Sequence, residues 1–138
     1  MLIRSAPRVA AVCAMLILTG FVLSGCQTTP PPNSLATHNS SKWEKEIAAL
    51  EASAVTNRPP PGCIVFVGSS SIRLWKTLAE DLPDLPVVNR GFGGSQLADY
   101  VQFAERIIIP YQPRQVVIYA GGNDINAGKD PDLVFGDF

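Results

Sequence analysis

Apolar residues in this chain gather into short runs set apart by polar, glycine-rich or proline-rich stretches. Ile64-Val65-Phe66-Val67, Leu85-Pro86-Val87-Val88 and Gln115-Val116-Val117-Ile118-Tyr119 are each bounded by turn signals, a pattern that predicts buried β-strands. Elsewhere the apolar positions recur at helical spacing. Trp43, Ile47, Leu50 and Ala54 form one stripe, opened by Ser41-Lys42-Trp43-Glu44, in which Glu follows Ser at capping-box spacing. Ser71 to Leu82 predicts a short helix with Ile72, Leu74, Trp75 and Leu78 as its contacts. Ser95 to Ile109 predicts another, with Leu97, Val101, Ala104 and Ile108 on one stripe. Asp130 to Phe138 reads as the opening turns of a further helix. Strands that alternate with helices imply right-handed crossovers and a parallel sheet, so the expected class is α/β.

The first forty residues follow a different pattern. Arg4 and Arg8 precede the largely apolar stretch Val9 to Val22, and the small residues Ser24 and Gly25 follow, which is the layout of a secretory signal over 1–25. That apolar stretch is short against the roughly 20 residues of a membrane span. It also accounts for the positive mean hydropathy of +0.16. Residues 26–40 are rich in Thr, Pro, Asn and Ser and include Pro30-Pro31-Pro32, a composition expected of an extended tether. His38, the only histidine, falls in this segment, where a flexible position would keep it from serving as a catalytic base. The folded domain is then expected over 41–138.

Charge and cysteine usage narrow the function. The net charge is −1 with no basic stripe, so nothing favours DNA or RNA as a partner. Of the three cysteines, Cys13 lies in the signal and Cys26 just after it, leaving Cys63 with no disulfide partner in the domain. No paired Cys/His spacing suggests zinc, so no metal site is expected. Cys63 opens an apolar strand, where Cys behaves as a small buried hydrophobe.

Candidate chemistry lies directly after the predicted strands. Gly68-Ser69-Ser70-Ser71, Asn89-Arg90-Gly91-Phe92-Gly93-Gly94 and Gly121-Gly122-Asn123-Asp124 would all reach the one sheet edge where α/β folds bind ligands. A serine at a strand-to-helix turn projects its hydroxyl into the cleft; Ser69, Ser70 and Ser71 equally suit a helix cap or a turn. Glycine lets a backbone amide approach a substrate closely, and Gly94 could donate to an oxyanion, whereas Gly91 and Gly93 suit a tight loop. The Asn123 carboxamide is a second donor for a tetrahedral intermediate, or the start of an Asx turn.

Val67-Gly68-Ser69-Ser70-Ser71, Asn89 to Gly94 and Gly121-Gly122-Asn123-Asp124 resemble, in order, the first three sequence blocks of the SGNH-hydrolase (GDSL-like esterase/lipase) superfamily. The resemblance implies a three-layer α/β/α flavodoxin-like fold with a parallel sheet. It implies hydrolysis of carboxylic esters without a cofactor, thioesters, acylated sugars and lipids being substrates within the family. By position Ser70 would be the nucleophile and, through its amide, an oxyanion donor; Gly94 and Asn123 would be the other two donors. Ser69 stands where many members carry Asp. Leu23-Ser24-Gly25-Cys26 resembles the lipobox of bacterial lipoproteins, which implies acylation of Cys26, export and membrane anchoring. With Gln27 after the cysteine, the outer membrane is the expected destination.

The sequence departs from the family in one respect. The family base comes from a late Asp-x-x-His block, and the chain contains none. About three of the family's five strands are predicted, which leaves the third with an uncovered apolar edge. The chain is therefore expected to be the N-terminal portion of an SGNH domain, inactive by itself. The alternative is a non-catalytic surface lipoprotein whose rim binds acyl or glycan ligands.

Overall fold

The computed structural model describes residues 30–138. The expected signal segment and the lipidation site Cys26 lie outside the described residues. The strands form where the apolar runs predict them: β1 at Ile64–Gly68, β2 at Val87–Asn89 and β3 at Gln115–Tyr119. All pair in parallel in the order β2-β1-β3. Val65 pairs with Val88 on one side and Val116 on the other, so β1 is the central strand.

Helices cover both sheet faces, and the pleat of β1 divides the core between them. Val65 and Val67 face a cluster with Ile47 of α1 (Glu44–Thr56), Val88, Phe92, and Tyr100, Phe103 and Ile107 of α4 (Leu97–Ile107). Ile64 and Phe66 face the opposite cluster, with Ile72 of α2 (Ser70–Leu74) and Leu78 of α3 (Leu78–Asp81). The result is the expected three-layer α/β/α arrangement. Two short helices follow β3: α5 at Gly122–Asn126 and α6 at Pro131–Asp137.

Several local expectations change. The helix expected over 71–82 is two pieces, because the Asn89 carboxamide donates to the carbonyls of Ile72 (2.5 Å) and Trp75 (3.2 Å) and ends α2 there. The Ser41–Glu44 capping box does not form; a 3-10 turn at Ser41–Trp43 leads into α1. A capping box forms instead at Gln96 and Asp99, at the start of α4. The buried face of α4 is also rotated by about one position from the expected stripe: Tyr100, Phe103 and Ile107 point inward, whereas Val101 is 46% exposed. The larger aromatic side chains take the core, since they bury the most apolar area.

The segment expected to be a tether is docked over its last residues. Ser34 and Ser40 are buried, and His38 is tied to the buried Asp99 rather than free. Among the described residues β3 has a strand neighbour on one side only, and apolar residues of it are open, as the uncovered edge expected from the sequence implied: Ile118 is 42% and Tyr119 64% exposed.

Candidate active site

The C-terminal ends of three adjacent parallel strands deliver the three loops to one edge. Gly68 pairs with Tyr119, and beyond β2 the Arg90 amide still donates to the Phe66 carbonyl (2.8 Å) and that of Phe92 to Gly68 (3.2 Å). Side chains are excluded at this junction. A Cβ on Gly91 would sit 2.5 Å from the Arg73 nitrogen and 2.8 Å from the Gly68 oxygen, and one on Gly68 would collide with the Tyr119 oxygen. Gly68 and Gly91 thus allow the first and second loops to pack backbone to backbone.

Ser70 is the first residue of α2 and is exposed at the tip of the turn after β1. Ser69 occupies the N-cap position, yet its side chain makes no capping bond. Gly94 is exposed with φ +77°, and the Trp43 ring lies 3.4 Å from where its Cβ would be. The left-handed backbone favours glycine there, while the indole alone would leave room for a methyl group. Trp43 packs edge-on against Phe92 (5.5 Å between centroids), which fits the packing role read from its helical spacing.

Asn123 is brought to the Gly94 loop directly. Its Nδ2 donates to the Ser95 carbonyl at 2.8 Å. A carboxamide has two N–H donors, so this bond fixes the side chain and leaves one free. Gly121, with φ +99°, makes the turn that presents Asn123 on α5. Ser95 is itself buried, donating to the Phe92 carbonyl (2.8 Å) and lying 2.5 Å from the Tyr100 hydroxyl. Burial pushes the Tyr100 phenol up to about 12, so it stays protonated near neutrality.

A second set of side chains, not singled out by the sequence, holds these loops. Asp124, fully buried, accepts from the Leu97 amide at the start of α4 (3.2 Å) and from Lys129 (2.9 Å). It thereby links the residue after Asn123 to the segment just after Gly94. Asp99 accepts from the Gln96 amide (2.7 Å), from Ser40 Oγ (2.5 Å) and from His38 Nε2 (2.7 Å). Asp137 accepts from the Ser34 amide and hydroxyl (both 2.6 Å) and from Lys129 (3.0 Å). Burial alone would raise the Asp137 carboxyl, but Ser34 and Lys129 outweigh it and hold it below the usual range. Lys129 is raised despite its burial, by the same two carboxylates that flank it. The spacing Gln96-x-x-Asp99 is a capping-box signal in the sequence. The pairing of Asp124 and Asp137 through Lys129 has no local signature.

Cys63 is buried, and burial pushes its thiol up, so it lies with the core rather than with the rim. Among the described residues, no group of His, Cys, Asp and Glu is arranged to hold a metal ion.

The layers, the strand order and the loop edge define an open α/β sandwich with the three loops gathered at the C-terminal ends of its strands. No protein-family model matches the chain, and no curated protein matches it. Solved structures do. The chain is similar to a Streptococcus pneumonia protein named for platelet activating factor, at 18% identity and a TM-score of 0.57, over 70% of this chain and 45% of that one. It is also similar to a GDSL-like lipase of Bacteroides thetaiotaomicron, at 25% identity and a TM-score of 0.50, over 72% of this chain and 48% of the lipase. The chain has an SGNH-hydrolase-like fold. It spans a little under half the length of the structures it matches.

Proposed function

We propose that the rim is the nucleophile and oxyanion side of a serine ester hydrolase. The observation that carries this reading is the bond from Asn123 to the Ser95 carbonyl, which supports placing a carboxamide donor beside the Gly94 amide. On this reading Ser70 Oγ attacks the ester carbonyl carbon, and the negative charge forming on the carbonyl oxygen is met by the amides of Ser70 and Gly94 and by Asn123 Nδ2. Collapse of the intermediate expels the alcohol, and water then releases the acid from Ser70.

The proton leaving Ser70 Oγ needs a base within hydrogen-bond reach. His38, the single histidine of the sequence, bonds Asp99 and makes no hydrogen bond to Ser70. The 138-residue chain is therefore expected to leave p-nitrophenyl acetate at the buffer rate. In any form of the protein that does turn it over, Ser70→Ala should lower kcat by at least about 10³-fold and Asn123→Ala by about 10²–10³-fold. An unchanged kcat in Ser70→Ala overturns the assignment.

We further propose, from the lipobox resemblance of Leu23-Ser24-Gly25-Cys26, that an acylated Cys26 tethers the domain to a membrane surface. The expected outcome is incorporation of labelled palmitate that is lost in Cys26→Ser.

A further inference from the structure

A groove of about 440 Å³ runs from the exposed side of α1 to the loop after β2. Arg73, Lys76 and Arg90 line it, with Trp75 and Phe92 as apolar walls, and Glu46 is its one carboxylate. No carboxylate of a described residue lies within ion-pair distance of any of the three cations.

Arg90 is the informative member. It is only 6% exposed, yet its guanidinium meets neutral partners alone: the Tyr111 hydroxyl from Nη2 (2.7 Å) and Nε (3.0 Å), the Asn89 carbonyl from Nη1 (3.2 Å), and the face of the Tyr111 ring, 4.7 Å from Cζ. Five donors in a fixed fork leave N–H groups unused. A buried charge without a counter-ion is costly, and an anion in the groove would offset that cost. Arg73 is placed by the absence of a side chain elsewhere. Its guanidinium lies on the Gly93 backbone, where a Cβ would come within 2.7 Å of Nε and 3.1 Å of Cζ. Gly91 and Phe92, which line the groove, belong to the same loop as Gly94, so the basic groove and the rim share that loop.

We propose that this groove binds the anionic group, a phosphate or a carboxylate, of a small ester ligand whose carbonyl reaches the Gly94 loop. As a substrate class this rests on the ester-hydrolase reading; as a binding site it does not. The cations are fixed from different elements, Arg73 from α2 and Arg90 from the end of β2, which suits a single oxyanion group held by more than one fork.

The test is calorimetric titration of the protein, at constant ionic strength, with glycerol 3-phosphate, glycerate and uncharged glycerol. Saturable binding of at least one of the two anions is expected, and none of glycerol; which anion binds more tightly tells phosphate from carboxylate. Arg73→Gln should weaken it about tenfold and Lys76→Gln about threefold, as expected for lost charged contacts. Glu46→Gln should tighten it, and Arg58→Gln, away from the groove, should not change it. No binding of either anion by the folded protein, or binding indifferent to both Arg73→Gln and Lys76→Gln, overturns the proposal. An active protein that binds neither anion would sink the groove and leave the ester-hydrolase reading. Undiminished turnover in Ser70→Ala would do the reverse.

Discussion

β1 and β3 pair with each other along their whole length, and both are runs of apolar residues. Their surroundings differ completely. Every residue of β1 is buried, with Val65 and Val67 at 0% exposure, whereas Val116 and Ile118 of β3 remain 37% and 42% exposed. β1 has a strand on each side and helices over both faces; among the described residues β3 has β1 alone as a strand neighbour. An apolar run therefore encodes extended structure, and its neighbours decide whether that structure is a core or an edge.

The comparison is broken most severely from the β1 side. Phe92 is 1% exposed and touches Trp43, Tyr100 and Phe103, so Phe92→Ala should cost about 3–5 kcal/mol in urea unfolding followed by tryptophan fluorescence. Gly91→Ala should cost about 2 kcal/mol, since the new methyl meets backbone atoms that cannot rotate away. A direct contrast sharpens the point: Val65→Ala is expected to cost about 2 kcal/mol and its rung partner Val116→Ala less than about 1. Equal costs would mean that β3 is covered in solution.

Acid should act on the docked segment before the core. The Asp137 carboxyl is held below its unfolded value, so the stability it contributes is complete above that value, about pH 4, and is lost as pH falls through the lower folded value. Hydrogen exchange at the Ser34 amide should accelerate there while β1 amides stay protected. The smallest effect belongs to Arg106, whose bonds to Glu44 (2.8 Å) and Glu51 (2.7 Å) are solvent-exposed; Arg106→Gln should cost no more than about 1 kcal/mol, and less in high salt.

Strands and loop order were legible because they depend on short runs and turn residues. Helix limits were less so. Nothing local to 71–82 shows that Asn89, seventeen residues after Ile72, will take its carbonyl and stop the helix. The face of α4 is ambiguous in the sequence because a stripe of Leu, Val, Ala and Ile and one of Tyr, Phe and Ile overlap there, and only packing against Phe92 chooses between them. At the rim, Gly94 and Asn123 stood out by residue type and position after strands, whereas only the family resemblance separates Ser70 from Ser69 and Ser71. The carboxylates that hold their loops did not, since Asp99 meets His38 across 61 positions of chain.

The bond between Ser34 and Asp137 spans 103 positions, nearly the whole described chain. A contact of such span forms only after most of the intervening chain has been ordered, since closing a loop that long carries a large entropic cost. It belongs on the native side of the folding barrier. Ser34→Ala should leave the refolding rate nearly unchanged and speed unfolding, making this clasp a brake on the loss of the fold rather than a guide to its formation.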